Sequence, residues 1–596
     1  MTTNITKQRK LDPITFEVLR RSFEYTCERM SQVLQKASFS PIIYDMVDYS
    51  NAIFDPDINL IGQTANCPVH IAAMHFSARA SIRKFPIEEL GVDDVIVLND
   101  PYDGGTHTPD VTMTMPVFYD GALLGFAVSR AHWTDVGGGF DTHLAGEGLR
   151  LPPSLLYKGG KPNKELISVI KNNTRTPQYI EGDIQAQLGA LRAARDEFAR
   201  LAEKYGPDVV RQGMREVLDY TQEMTKEAIK QIPDGVYEAT DYVDSDGFSN
   251  EPVRLQVRLT VKGDSIDVDF KGSDPMTVGP INSPYANTAS AVYYSLKFFL
   301  NPEAPANAGM YRQIHLTIPE NTWLNPHWPA PTLGCTTVSS SKIAAAIWMA
   351  LAKAIPDKIV APTCSDANWY VASATDPDTG ELHVFTDLPA GGWGGTPTHD
   401  GMHVTMDPLG NCQNLPAEIA ELLFPIRFNA FEMRTDSAGA GRFRGGVGVH
   451  VEVEFIGRGE MIWMECSRTR EGSPGVNGGM HSARQRQLRK TRDGQLQTIG
   501  GLDDDGTWHP QMLGGVQFKP GESFVFESTG GGGWGDPLTR DPELVAQDVR
   551  EDIVSKKQAE NVYGVVLTDT LTLDLLATNA KRIELSNHRN SKSVLR

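Results

Sequence analysis

The feature that most restricts this chain is a change of apolar period between Val95 and Arg130. Val95-Ile-Val-Leu-Asn-Asp reads as a strand entering a turn, and the stretches that follow, from Val111 and from Ala122, alternate with period two. The two meet at Asp120-Gly121, a dipeptide that favours the type I′ turn of a two-residue hairpin. Positions equidistant from such a turn lie opposite each other, so His132 is expected to face Pro109, with His107 and Asp110 one or two positions away. Opposite residues sit about 5 Å apart, and diagonal neighbours stay within side-chain reach. Two imidazoles and at least one carboxylate therefore converge at the open end of the hairpin. They lie in Asn99-Asp-Pro-Tyr-Asp-Gly-Gly-Thr-His107-Thr-Pro-Asp110 and His132-Trp-Thr-Asp135-Val-Gly-Gly-Gly139. The plain alternative is that Asp, Asn and Thr beside Gly only make turns and helix caps. Three such groups gathered by an independent turn signal favour a divalent metal site. Mixed His/Asp ligation suits Zn²⁺, Mn²⁺ or Fe²⁺ and does not choose among them.

Around this hairpin the pattern is that of an α+β, multi-domain chain with mixed antiparallel sheets and helical segments at both ends. A first helix is expected after Asp12-Pro13, with Ile14, Val18, Leu19, Phe23, Met30, Val33 and Leu34 at helical spacing. Residues 183–231 read as two helices broken at Gly206-Pro207. Beyond Val243 a second hairpin runs from Val253 to Phe270 through Gly263-Asp264, and 287–301 and 338–354 read as helices. Short strands with glycine punctuation fill 426–528, and the stretch from Asp541 to Glu560 is helical again. With 596 residues the expected division is an N-terminal metal-binding α+β domain (1–240), a central α+β domain (241–430), a glycine-rich β domain (431–540) and a C-terminal helical segment (541–596).

The net charge of −19 opposes binding to nucleic acid or anionic lipid. Cys27, Cys67, Cys335, Cys364, Cys412 and Cys466 lie far apart without a CxxC pair, which argues against a disulfide framework or a thiolate zinc site. No apolar run follows the first basic residues, and the longest, Ile343–Ala352, is about half of what a bilayer needs, so a cytoplasmic protein is expected.

Other groups could join the same pocket. Asp45 or Asp48 could add an oxygen ligand, and Glu147-Gly-Leu-Arg150 brings a carboxylate beside a guanidinium suited to carboxylate or phosphate. Asp135 or Glu147 could handle protons, by proximity in sequence alone. Gly530, Gly532 and Gly535 formally match GxGxxG, but no βαβ pattern surrounds them. The Asp436–Arg444 loop reads as a structural turn before a phosphate nest. GxxxxGK[ST], GxSxG and HExxH do not occur.

Taken in order, these blocks resemble the hydantoinase B/oxoprolinase family over nearly the whole chain. The resemblance rests on Asp48-Tyr-Ser, Phe54-Asp55, Pro68-Val-His70, Asn99-Asp-Pro-Tyr, Gly104-Gly-Thr-His107, Pro109-Asp110-Val, His132, Asp135-Val-Gly-Gly, and Glu147-Gly-Leu-Arg150 with Pro152-Pro153. It continues through Gly182-Asp183, Gln185-Ala-Gln187, Gly391-Gly-Trp-Gly394, Asp436-Ser, Gly439-Ala-Gly441-Arg-Phe-Arg444, Gly531-Gly-Gly and Gly535-Asp536-Pro537. The resemblance implies a division of labour. A larger hydantoinase A-type partner of actin-like kinase type would bind ATP and phosphorylate the substrate oxygen, in an α2β2 hetero-oligomer. The present chain would hold a divalent metal through Asp48, His107, Asp110 and His132, with Asp45 the competitor of Asp48, and Asp135, Glu147 and Arg150 would act on the substrate. The implied activity is ATP-dependent opening of a cyclic amide such as a hydantoin, 5-oxoproline or lactam. A subunit of an acetone- or acetophenone-type carboxylase is the alternative, and a non-catalytic assembly subunit a third. Many relatives carry Glu-Arg where this chain has Asp45-Met46, a change that bears on the substrate rather than the metal.

Overall fold

The computed structural model describes residues 11–593 apart from 65, 71, 466 and 510–513, so Cys466 and the first ten residues lie outside the described residues. The fold is α+β and mostly antiparallel, in four sheets among the described residues. The sheet that matters most contains β1 (Tyr49–Phe54), β2 (Leu60–Gln63), β3 (Val95–Leu98), β4 (Asp110–Tyr119), β5 (Ala122–His132), β6 (Ser154–Lys158) and β7 (Lys161–Pro162), in the order β2-β1-β5-β4-β3-β6-β7. All its pairings are antiparallel. Helices Pro13–Ala37 and Pro177–Tyr205 pack on the face where Tyr49 and Asn51 reach Ser31.

Asp120 and Gly121 both have positive φ, as a type I′ turn requires. The register beyond it differs from the expectation by one residue. Phe118 pairs with Leu123 but Val117 with Gly125, so Leu124 is an extra residue on β5. This bulge moves every later pair, and His132 faces Asp110 rather than Pro109.

The first helix is capped by Asp12, which accepts from the N–H groups of Ile14 and Thr15. Its buried stripe is Phe16, Leu19, Phe23, Cys27, Met30 and Leu34, whereas Ile14 and Val18 point to solvent. The helices either side of Gly206-Pro207 are Pro177–Tyr205 and Pro207–Ile229. The second sheet begins earlier than the sequence indicated, with a strand at Gly235–Val243, because its exposed N-terminal half gives little apolar alternation. Helix Ser340–Ala354 is preceded by a π-helical turn, Cys335–Ser339. Together they make the one helix, among the described residues, long and apolar enough to cross a membrane; 89% of its apolar window is buried in the protein. A third C-terminal helix, Leu575–Ser593, follows those at Pro542–Arg550 and Lys556–Asn561.

Gly530 to Gly533 serve backbone packing. Their N–H groups donate to the carbonyls of Ser437, Gly446, Pro362 and Met480, and that of Gly535 to Val476, which leaves none to cradle a phosphate. Arg444 is equally committed: its Nε and one terminal nitrogen hold Asp548, which also binds Arg540. A Cβ at Gly532 would lie 1.9 Å from the Pro474 carbonyl oxygen. Gly532→Ala should therefore destabilise the fold by about 3 kcal/mol, the upper end of overpacking costs. An unfolding midpoint equal to wild type would show that this loop stack can relax.

Candidate metal centre

Three adjacent strands assemble the centre. Asp110 begins β4 and His132 ends β5, directly opposite each other. On the other side of β5, Tyr49 pairs with Ala131, so Asp48 comes level with His132, and the His132 N–H donates to the Asp48 carbonyl at 3.1 Å. His107 arrives from the loop before β4, where the Asp110 N–H bonds to its carbonyl. His70 ends a single 3₁₀ turn, Pro68–His70, fixed by the Val69 N–H bond to the Leu409 carbonyl at 2.7 Å.

These side chains face one cavity of about 20 Å³, enough for about one water-sized species. Asp48, Cys67, His70, His107, Asp110, His132, Trp369 and Cys412 all line it. The possible donor atoms fall into two triads, His107/Asp110/His132 and Asp48/Cys67/His70, each with atoms within 4.8 Å of one another. His70 Nε2 lies 3.4 Å from Asp110 Oδ2 and links them. Each ring is held by its other nitrogen or by packing. His107 Nδ1 lies 2.8 Å from the Leu333 carbonyl, to which it donates, leaving Nε2 facing Asp110 Oδ1 at 3.2 Å. His70 Nδ1 is 3.2 Å from Ser50 Oγ, and the Thr106 hydroxyl donates to Asp110 Oδ2 at 2.5 Å. The indole of Trp369 packs edge-on against the His107 and His132 rings, with centroids 5.6 and 5.5 Å away.

The donor set fits a divalent cation. His132 Nδ1 is buried without a hydrogen-bond partner, and Asp110 Oδ1 meets only the His107 ring nitrogen, an arrangement that a fully satisfied polar core avoids. Burial pushes Asp110 up, but the pull of His107 and His70 outweighs it and holds its carboxyl well below the usual range. Burial, reinforced by His107, pushes His132 down to about 3, so it is a neutral imidazole with a lone pair to give. Burial raises Asp48 to about 6 against the pull of His70.

Of the residues singled out in the sequence, Asp48, His107, Asp110 and His132 share this cavity, while Asp45 caps the short helix Pro41–Tyr44 and does not line it. Asp135 lines a neighbouring chamber with His132, Glu147 and Trp369, and there it is bound by Arg175, whose Nε is 3.0 Å away. Glu147 is buried and spends both oxygens on the N–H groups of Thr332 and Leu333. It thereby fixes the loop whose Leu333 carbonyl orients His107. Arg150 turns away, 4.0 Å above the Trp328 ring and 3.7 Å from Asp100. His70 was missed as a site residue, although Pro68-Val-His70 stood among the recognised blocks. Cys67 and Cys412 were discounted because they form no local pair; the fold brings both thiols to the cavity from distant loops. Trp369 carried no local signal.

Over residues 12–537 the chain matches the sequence profile described as hydantoinase B/oxoprolinase. It belongs to the hydantoinase B/oxoprolinase family. It is 31% identical to caprolactamase subunit beta of Pseudomonas jessenii over 96% of this chain and 99% of that one. A crystal structure of ATP-dependent caprolactamase from the same organism superposes with a TM-score of 0.86 at 30% identity, covering 96% of this chain and all of that one. 5-Oxoprolinase 1 of Arabidopsis thaliana is 27% identical over 88% of this chain, which spans 42% of that longer protein. The fold is shared as well by a nucleotide-free acetone carboxylase structure, with a TM-score of 0.88 at 19% identity over 98% of this chain and 84% of that one.

Proposed function

We propose that this chain is the metal-bearing subunit of a two-component, ATP-dependent cyclic amide hydrolase, and that it completes ring opening on a substrate phosphorylated by a hydantoinase A-type partner in an α2β2 assembly. The observation that carries the reading is the pair of donor triads on one buried cavity, in a chain of this family. Amides resist attack because nitrogen donates into the carbonyl, and phosphorylating the oxygen removes that resonance. Asp48, His107, Asp110 and His132, with His70 beside them, would hold a divalent ion, which would supply Lewis acidity to stabilise negative charge and acidify water. Leu333 and Ser50 fix the ring orientations, Thr106 fixes the Asp110 carboxylate, and the Trp369 indole keeps bulk water from the imidazoles. Asp135, bound to Arg175, and Glu147 both border the adjoining chamber, and either would serve this reading as the proton-handling group.

The need for a partner is supported from two sides. The glycine cluster that resembles a nucleotide loop has its N–H groups occupied, and the longer 5-oxoprolinase leaves more than half its length outside this chain's span. The likeness in fold to acetone carboxylase supports a second reading, a ketone carboxylase subunit. The purified chain alone should neither hydrolyse ATP nor open a lactam, and the coexpressed partner should restore both. ATP turnover by the isolated chain, with contaminants excluded, would sink the two-component reading. Carbon dioxide uptake with a ketone instead of ring opening would select the second.

A further inference from the structure

Arg130 lies one layer beneath the donor atoms. On β5 it is two residues from His132, so both side chains leave the same face of the strand. The register places it opposite Thr112 on β4 and Ser50 on β1, as His132 is opposite Asp110 and level with Asp48. Arg130 is wholly buried. Its Nε donates to Thr112 Oγ1 at 2.8 Å and Nη2 to Ser77 Oγ at 2.7 Å, while Nη1 has no hydrogen-bond partner. Among the described residues no carboxylate forms an ion pair with it, and Asp110 is the acidic group whose field reaches it most strongly. A buried guanidinium without a paired carboxylate is costly, and this one cannot discharge by losing its proton.

We propose that Arg130 is a built-in counter-charge that leaves the loaded centre with one residual positive charge and so makes it a receptor for an anionic, phosphoryl-bearing substrate. The inference rests on the reading that the cavity holds a divalent ion and receives a phosphorylated substrate. Asp48 and Asp110 as carboxylates cancel the charge of such an ion, ligating imidazoles are neutral, and Cys67 beside them is counted as an uncharged thiol. Without Arg130 the centre would be uncharged, with no preference for an anion over a neutral lactam. With Arg130 wholly buried about two residue lengths along the strand, the surplus is screened little by solvent.

The same charge must weaken cation binding, and this separates it from a structural prop. The full chain is to be compared with Arg130→Met and Arg130→Lys at pH 8, measuring Zn²⁺ affinity by chelator competition and then inorganic phosphate binding to the loaded protein by calorimetry. Arg130→Met should bind Zn²⁺ about tenfold more tightly and phosphate about tenfold more weakly, whereas Arg130→Lys should stay within about threefold of wild type in both. Loss of Zn²⁺ affinity in Arg130→Met, or phosphate binding equal to wild type, overturns the inference. If Arg130→Met does not fold, Thr112→Val and Ser77→Ala decide: they remove its hydrogen bonds but keep its charge, so altered phosphate binding in either overturns it and unchanged binding supports it. A wild-type chain that takes up no divalent ion removes the metal reading itself, while ion uptake with Met and Lys variants alike removes only the role of Arg130.

Discussion

Alanine at His107 or at His132 should strip the chain of the metal proposed for it and abolish product formation while leaving it folded. Each imidazole contributes a donor to a triad whose atoms lie within 4.8 Å of one another. The hydrogen-bond partner of a metal ligand is worth about 10–100-fold in affinity, so loss of the ligand itself should exceed about 100-fold. The structural cost is smaller. His107→Ala frees the Leu333 carbonyl at a cost of about 1–3 kcal/mol and opens a void beside Trp369, against a total stability of about 5–15 kcal/mol for an ordinary domain. His132 ends its strand, so its removal shortens no ladder, and the main-chain bond to Asp48 persists. Elemental analysis after dialysis, with circular dichroism as the control for folding, checks this. Stoichiometric metal in the doubly substituted chain would place the ion elsewhere.

What the sequence made legible, and what it hid, follows the range of the forces involved. The hairpin was legible because Asp120-Gly121 encodes its turn locally, in two residues that must take positive φ. The bulge at Leu124 was not, since nothing in Ala122–Arg130 marks which residue is unpaired; the one-residue shift brings Asp110 and His132 face to face. Asp48 could be preferred to Asp45 only by resemblance, because its place depends on β1 joining the far side of β5. His70, Cys67 and Trp369 sit where long-range contacts put them, as the Val69–Leu409 bond shows, and periodicity is blind to such contacts. Glu147 and Arg150 were grouped because they are near in sequence. Gly148, at φ +113°, turns the chain between them, and one goes to the core while the other goes to Trp328. The glycines of 530–535 were rightly set aside as a nucleotide loop: the same freedom that admits a phosphate admits another backbone, and here backbones fill the space.

Asp110→Asn should uncouple the two halves of the reaction. The change preserves the size of the side chain and the oxygen that accepts from Thr106, but removes the negative charge that His107 and His70 stabilise. The affinity of the centre for a divalent ion and its support for developing negative charge should both weaken. If a partner phosphorylates the substrate and this chain completes the conversion, only the second half suffers. In the assembled complex, substrate-dependent ATP hydrolysis should persist while product nearly disappears, because an activated substrate left waiting loses its phosphate to water and returns to starting material. The ratio of ATP consumed to product formed should then rise by more than about tenfold, which corresponds to a selective loss of about 1.4 kcal/mol in the later step. Both quantities can be read from one reaction, by phosphate release and by chromatography of the product. A variant that loses them in strict proportion would place the metal in phosphorylation or in assembly instead. The expectation of unequal loss rests on a separation within the molecule: the groups proposed to hold a cation are gathered in one buried cavity, and the glycine loops that resemble a nucleotide cradle have their N–H groups bound to other carbonyls.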